Sequence, residues 1–232
     1  LDLITIPCLS DNYAFVVRDS ETGTTALFDI PEAAPILAAL SDRGWTLDKI
    51  FITHHHWDHV GGLIEVLQSH KAEVIGSKED IGRLPPLDTM VSEGDTVSIG
   101  ASEGTVMDVS GHTINHLAFY FAEAGLAFTG DSLMALGCGR VFEGTKPLMC
   151  DSKQKFLSLP PATLIASGHE YTTANGKFAL SVEPDNIALV ERTKAVAEKR
   201  ANGTPTVPSM LGEELATNPF LRAAVPEFQA AL

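Results

Sequence analysis

Cysteine is scarce in this sequence and long hydrophobic runs are missing, and each scarcity excludes a class of protein. The three cysteines among 232 residues are Cys8, Cys138 and Cys150. They are too few for a disulfide framework and lack Cys-x-x-Cys metal spacing, so they indicate a reducing, cytoplasmic setting. No apolar run approaches the length of a membrane span, and no signal-peptide pattern opens the chain, so no membrane partner is expected.

Basic residues are scarce as well. The chain has 16 Lys and Arg against 30 Asp and Glu, a formal net charge of −14. Because nucleic-acid binding needs a basic face, this charge argues against a nucleic-acid partner. The hydrophobic share of 44% and charged share of 20% predict a packed core and exclude a disordered chain. The length suits one large domain, or a main domain with a small addition.

The most informative feature that is present is the stretch THHHWDH at residues 53–59. It directly follows the apolar run KIFI, so we expect a strand to deliver it. In an extended backbone His54 and His56 point the same way, because side chains alternate with period two. Asp58 and His59 follow in an expected turn and can face a second point in space. Imidazole and carboxylate ligands together suit zinc, iron or manganese.

Three further candidate ligands each follow a predicted strand, with a glycine directly before the ligand. They are His112, Asp131 and His169. Sheet proteins collect their sites at the carboxyl ends of strands, and glycine lets backbone and ligands crowd together. A single strand-end histidine is usually an ordinary hydrogen-bonded polar residue. Four strands that end in this way predict a metal site.

The rest of the chain predicts short strands and helices, followed by a helical tail. Strands are expected near residues 3–6, 14–17, 24–29, 49–53, 73–75, 96–99, 105–109, 117–121, 126–129 and 163–166. Helices are expected over residues 32–43, 63–70 and 152–159. In the tail, Pro184-Asp185-Asn186 predicts the start of a helix that ends at Asn202-Gly203, and Ser209 is expected to cap a second helix that ends at Asn218-Pro219.

Several motifs together resemble the metallo-β-lactamase superfamily. They are THHHWDH at 53–59, GHT at 111–113, FTGD at 128–131 and GHEY at 168–171. The chain resembles more closely the hydroxyacylglutathione hydrolase (glyoxalase II) branch, through GHEY, DNY at 11–13, GCGR at 137–140, FEGT at 142–145, TVPS at 206–209 and NPF at 218–220. The resemblance implies an α+β fold: a metallo-β-lactamase-type αββα sandwich over residues 1–170. A small helical C-terminal domain over residues 171–232 would lean over the site.

The resemblance also implies two divalent metal ions, with zinc expected and iron or manganese as alternatives. One ion would take His54, His56 and His112. The other would take Asp58, His59 and His169. Asp131 and a hydroxide would bridge the two ions, and Asp58 and Asp131 are the catalytic candidates in this interpretation.

Other side chains are expected to support the ligands. Asp29, at a strand end, resembles the first acidic motif of the superfamily and is expected to orient the histidine loop through hydrogen bonds. His55 falls between two ligands and is expected to point away from the metals. His116 is expected to be structural or to hold a ligand in place.

The activity implied is hydrolysis of S-(2-hydroxyacyl)glutathione thioesters such as S-D-lactoylglutathione, a step of methylglyoxal detoxification. Two divalent cations deprotonate water near neutral pH, and a thiolate leaves well. Arg140, Phe142 and Tyr171 are expected to contact the glutathione. The family also has a basic cluster at its extreme C-terminus that the sequence through Leu232 does not contain. Positive charge for this anionic substrate is therefore expected from the metals and Arg140.

Three alternatives remain open on sequence alone. One is another hydrolase of the same fold, acting on a different thioester, a lactone or a phosphodiester. Another is a persulfide dioxygenase with a single iron. His169 in GHEY and the C-terminal helices argue against it, because a one-metal site needs fewer ligands. The third is a non-catalytic binding protein, against which the full set of ligand candidates argues.

Overall fold

The strands of the computed structural model, which describes residues 1–231, form two six-stranded sheets and a short hairpin. They are β1 Asp2–Cys8, β2 Asn12–Arg18, β3 Thr25–Phe28, β4 Lys49–Phe51, β5 Glu73–Ser77, β6 Thr89–Val91, β7 Thr96–Ile99, β8 Ser102–Asp108, β9 Leu117–Phe121, β10 Leu126–Gly130, β11 Leu133–Met134, β12 Gly137–Cys138, β13 Leu164–Ser167 and β14 Ser209–Met210. The first sheet has the order β1-β2-β3-β4-β5-β6, and the second has the order β14-β13-β10-β9-β8-β7. Strands β11 and β12 pair with each other. Leu232, the last residue of the predicted helical domain, lies outside the described residues.

The helices are α1 Ala33–Arg43, α2 Trp57–Val60, α3 Leu63–Ser69, α4 Lys146–Leu157, α5 Thr172–Val182, α6 Ile187–Ala201, α7 Leu211–Thr217, α8 Pro219–Arg222 and α9 Pro226–Ala231. A 3-10 turn covers Lys78–Asp80. Within the described part of the chain, none of these helices has the length and apolarity needed to cross a bilayer.

An aromatic layer fills the space between the two sheets. Phe28 of β3 stacks on Phe51 of β4, with ring centroids 4.8 Å apart. Phe28 also stacks on Phe128 of β10, with ring centroids 3.5 Å apart. None of these three side chains is more than 1% exposed. Because burying one such side chain contributes about 1.5–3 kcal/mol, this layer stabilises the contact between the sheets.

Helices cover the outer face of each sheet. Ile36 and Leu40 of α1 and Val66 of α3 pack on the first sheet. Phe156 of α4 and Leu211 of α7 pack on the second. The layers therefore run helix, sheet, sheet, helix, which confirms the predicted α+β class and αββα sandwich.

Two predicted helix starts were wrong. Helix α4 begins at Lys146 rather than at residue 152, because Thr145 caps it by accepting a hydrogen bond from the Leu148 amide. Ser209 does not cap a helix. It lies in β14, which pairs antiparallel with β13, and α7 begins after Met210. The C-terminal segment thus contributes a strand to the second sheet.

Helix α5 was not predicted, because its sequence TTANGKFALSV carries asparagine and glycine in the interior, where both weaken a helix. Tertiary packing explains the glycine. A Cβ on Gly176 would lie 2.9 Å from Thr193 Cγ2 of α6, so only glycine allows this approach. Leu136, Ala179 and Leu189 form a small core beside that contact.

The carboxyl ends of the central strands meet at one edge of the sandwich. Strands β3 and β4 are parallel neighbours in the first sheet, as are β10 and β13 in the second. Gly130, at the end of β10, has a φ of +47°. A Cβ there would lie 2.5 Å from Thr53 Oγ1, so a glycine lets the loops of the two sheets touch. The candidate ligands follow these strands.

Candidate metal centre

The seven predicted ligands lie together at one cleft, which five of them line while His54 and His59 lie buried beside it: His54, His56, Asp58, His59, His112, Asp131 and His169. The loop after β4 carries two of them, helix α2 carries two more, and the loops after β8, β10 and β13 carry one each. The cleft has a volume of about 830 Å³. His54 and His59 are 1% and 0% exposed, so their ring nitrogens are shielded from bulk water.

The first ligand group consists of His54, His56 and His112. His56 Nδ1 lies 3.1 Å from His54 Nε2 and 3.1 Å from His112 Nε2. Two nitrogens held at about 2.0–2.1 Å by a tetrahedral zinc ion would lie about 3.3 Å apart. The spacing and the imidazole chemistry of this group therefore fit one ion of that size.

The second ligand group consists of Asp58, His59 and His169. Asp58 Oδ2 lies 3.8 Å from His59 Nε2 and 3.4 Å from His169 Nε2. Among residues 1–231, His59 Nε2 is buried without a hydrogen-bond partner. A buried nitrogen in that position is unfavourable unless something binds it. This donor set also fits a metal ion.

Asp131 lies between the two groups. Its Oδ2 is 3.4 Å from His112 Nε2 of the first group and 3.3 Å from His169 Nε2 of the second. Its Oδ1 is 3.5 Å from His59 Nε2 and makes no hydrogen bond within the described chain. One carboxylate thus reaches both groups, as a bridging ligand must.

Asp29 organises the histidine loop from behind. Its Oδ1 accepts a hydrogen bond from the Thr53 amide at 2.8 Å. Its Oδ2 accepts one from the Thr53 hydroxyl at 2.8 Å and another from His59 Nδ1 at 2.8 Å. The same hydroxyl lies 3.0 Å from His54 Nδ1. Since each Nδ1 is engaged, the Nε2 of both rings is free to face a metal.

The other ligands have similar partners, which the sequence did not reveal. His169 Nδ1 donates to Asp11 Oδ1 at 3.0 Å, and His112 Nδ1 donates to the Arg140 carbonyl oxygen at 2.8 Å. The Asn12 side chain donates through Nδ2 to Asp58 Oδ2 at 3.1 Å. In the sequence, only the DNY motif pointed to Asp11. The contact with the Arg140 carbonyl could not be predicted, because a backbone carbonyl has no sequence signature.

Burial and neighbouring charges shift the pKa values of the histidines in this centre in different directions. Burial, with help from the neighbouring histidines, holds the pKa of His54 well below its usual range. Burial also lowers the pKa of His112. For His59, burial acts downward, but the charges of Asp131 and Asp29 outweigh it and raise the pKa to about 9. The carboxylates therefore favour positive charge at His59, which a bound cation would supply in place of the proton.

The two histidines expected to lie outside the ligand groups do so. The ring of His55 lies between the carboxylates of Asp80 and Glu143. His116 Nε2 accepts a hydrogen bond from the Asp131 amide at 3.1 Å. Burial lowers the pKa of His116, so its neutral ring can hold the Asp131 backbone in place.

The three predicted substrate contacts, Arg140, Phe142 and Tyr171, line the mouth of the cleft. The Phe142 side chain is 63% exposed, and its ring centroid lies 5.2 Å from that of His112. The Tyr171 ring stacks on His169, with centroids 4.6 Å apart. All three thus lie close to the two ligand groups.

The C-terminal helices extend the cleft with an apolar wall that the sequence did not predict. Phe178 of α5 stacks on Phe220 of α8, with ring centroids 5.8 Å apart. Both line the cleft and are about half exposed. An exposed aromatic pair beside a polar centre suits the apolar part of a substrate.

Comparisons with known proteins agree with this architecture. The model of the metallo-β-lactamase superfamily matches residues 14–169, and the model of the hydroxyacylglutathione hydrolase C-terminus matches residues 170–232. A hydroxyacylglutathione hydrolase of Jannaschia sp. strain CCS1 is 58% identical over 99% of this chain and 90% of its own. One of Cereibacter sphaeroides is 55% identical over 100% of this chain and 91% of its own. The crystal structure of the BLEG-1 B3 metallo-β-lactamase shares the fold, with a TM-score of 0.73 and 21% identity over 95% of this chain and 99% of that one.

The sandwich, together with the histidines and aspartates at its edge, defines a protein of the metallo-β-lactamase class. Within that class, the chain belongs to the hydroxyacylglutathione hydrolase family, as full-length identity above 50% and the matched C-terminal segment show. The division into domains at residue 170 and the individual ligand roles stay predictions.

Proposed function

We propose that this protein hydrolyses S-(2-hydroxyacyl)glutathione thioesters, with S-D-lactoylglutathione as the representative substrate, to glutathione and a 2-hydroxy acid. The observation that carries the proposal is the pair of ligand groups joined by Asp131 at one cleft. Full-length relatives named hydroxyacylglutathione hydrolase support the choice of substrate. The low cysteine content and the acidic composition support a cytoplasmic location without nucleic-acid or membrane partners.

Two divalent ions belong to this proposal, zinc first, with iron or manganese as alternatives. The proposed ligands of one ion are His54, His56 and His112. The proposed ligands of the other are Asp58, His59 and His169. Asp131 would touch both. When bound, the ions supply deprotonated water near neutral pH and a Lewis acid for the thioester carbonyl.

The protein's own groups prepare the centre for this chemistry. Neutral His54 and His112 present lone pairs to the cleft, because their other ring nitrogens face Thr53 and a backbone carbonyl. The Asn12 side chain holds the Asp58 carboxylate, which is the second catalytic candidate, by a hydrogen bond from Nδ2. A thiolate leaves readily, so the reaction does not need a strong acid from the protein.

Arg140, Phe142 and Tyr171 are the proposed contacts to the glutathione part. Glutathione is anionic and the protein carries a net charge of −14, so binding depends on local positive charge from Arg140 and the ions. Burial, with the charge of Asp11 adding, raises the pKa of Tyr171 to about 12. Its phenol therefore stays protonated and can donate a hydrogen bond.

The second ligand group favours a hydrolase with two ions over a persulfide dioxygenase with one iron. The test measures the metal content and the hydrolysis of S-D-lactoylglutathione on the same purified sample. We expect about two metal ions per chain, thiol release that follows metal content, and loss of activity with a chelator that added metal reverses. A sample that holds both ions but releases no thiol would overturn the proposed substrate. A single iron with oxygen uptake on a glutathione persulfide would identify the dioxygenase instead.

A further inference from the structure

A closed ring of ionisable side chains joins the histidine loop to the loop of the proposed glutathione contacts. Its members are His55, Asp80, Arg83 and Glu143, called the rim ring below. Each member contacts the next, and Glu143 returns to His55. None of the four is a proposed metal ligand.

Glu143 attaches the substrate loop, residues 139–145, to this ring. That loop contains neither helix nor strand. Glu143 Oε2 accepts hydrogen bonds from Arg83 Nη1 at 2.7 Å and from the Ile114 amide at 3.0 Å. Its Oε1 lies 3.3 Å from His55 Nε2. One carboxylate thus fastens an irregular, largely exposed loop to three separate parts of the chain.

Arg83 and Asp80 complete the ring between Glu143 and His55. Arg83 contacts Asp80 through Nε and donates to the Ile114 carbonyl through Nη2 at 2.9 Å. Asp80 is 2% exposed, and its Oδ2 lies 3.1 Å from His55 Nδ1. A planar guanidinium with several donors is suited to hold two carboxylates and a carbonyl at once.

We propose that the rim ring positions the substrate loop for glutathione, with Arg83 as its principal positioning residue. The inference rests on the proposed function. Glu143 directly follows Phe142, and the carbonyl of Arg140 in the same loop accepts from His112 Nδ1. A loop fixed in advance loses less conformational freedom when the substrate binds. The ring also gives His55, the middle histidine of the HHH run, a task that requires no metal.

The test compares Arg83→Ala, Arg83→Lys and Glu143→Gln with Lys155→Ala as a matched control. The Lys155 side chain is 37% exposed, as is that of Arg83, and it also pairs with a carboxylate, Glu93. Arg83→Ala should raise KM for S-D-lactoylglutathione roughly three- to tenfold, while kcat and metal content stay near those of the unaltered protein. Arg83→Lys should restore only part of the loss, because lysine cannot hold two carboxylates in one plane. Lys155→Ala should change neither constant.

Amide hydrogen exchange tests whether the ring holds the substrate loop in place, independently of the hydrolysis assay. It is measured for residues 139–145 on the metal-loaded proteins. Exchange should become faster in Arg83→Ala and Glu143→Gln and stay unchanged in Lys155→Ala. Unchanged exchange in Arg83→Ala would overturn the inference whatever the activity. A fall in kcat and metal content together would also overturn it. If the unaltered protein does not hydrolyse S-D-lactoylglutathione, the proposed function fails, and the exchange result still decides the role of the ring.

Discussion

The Asp29 carboxylate accepts a hydrogen bond from His59 Nδ1 at 2.8 Å, on the side of the imidazole that faces away from the ligand groups. Asp29 has a φ of +56°, a left-handed conformation that residues other than glycine rarely adopt. The conformation places both carboxylate oxygens against Thr53 while one of them also reaches His59. A strained backbone thus directs one side chain at two parts of the histidine loop.

Replacement of this carboxylate should weaken the second ligand group. Asp29→Asn keeps the side-chain shape but removes the charge that holds the proton on His59 Nδ1, so the opposite nitrogen becomes a poorer ligand. We expect about 10- to 100-fold weaker binding of one of the two ions, measured by competition with a chelator. The exposed Asp42→Asn serves as the control. Equal affinity in both variants would contradict this role.

Removal of the bridging candidate should affect both ions. Asp131 is the carboxylate within 3.5 Å of nitrogens from both ligand groups. Asp131→Ala should therefore lower total metal content and turnover together, as measured by elemental analysis and by hydrolysis of S-D-lactoylglutathione. A variant that retains two ions and near-normal turnover would refute the bridge.

Changes at the cleft mouth should separate recognition from chemistry. Arg140→Ala should raise KM for glutathione thioesters about tenfold with unchanged metal content, because one charge-assisted contact in an exposed position is lost. His59→Ala should do the reverse, lowering metal content and turnover. The thioester of a small neutral thiol is the control substrate and should be indifferent to Arg140. Equal effects on both substrates would mean that the arginine is structural.

Lys153 should make stability depend on pH in the alkaline range. Its side chain is 2% exposed, and Nζ donates to Ser132 Oγ at 2.9 Å. Burial lowers its pKa from 10.5 to about 8. Between these values the unfolded chain binds the proton more strongly, so the free energy of unfolding should rise with pH, by on the order of 3 kcal/mol in total.

Lys153→Met lacks this titration and provides the comparison. The variant should be more stable than the unaltered protein at pH 7, and the difference should shrink as the pH approaches 10. Denaturant unfolding of both proteins between pH 7 and pH 10 measures this difference in the free energy of unfolding. A difference that stays constant with pH would show that folding does not lower the pKa of this amine.

The sandwich and the ligand candidates were predictable because their signals are local. Strands that end in glycine and then a metal-binding residue mark His112, Asp131 and His169 without any knowledge of the tertiary structure. The fold followed from the resemblance of these motifs. The structure then showed that the four strand ends meet at one edge.

The supporting contacts were not predictable, because they depend on distant chain segments. Asp11 and His169 are 158 residues apart, and Arg83 and Glu143 are 60 residues apart. Strand β14 has two residues, too few for any periodic pattern. Partners of this kind become visible only when the chain is folded.

The short strand β14 also changes what the second sheet presents at its outer edge. It occupies the outer edge of the second sheet, where β13 would otherwise present unpaired backbone amides and carbonyls. Exposed sheet edges invite strand addition and aggregation. The segment that brings the apolar wall to the cleft therefore also covers the β13 edge with a strand of two residues, which is too short to template much further pairing.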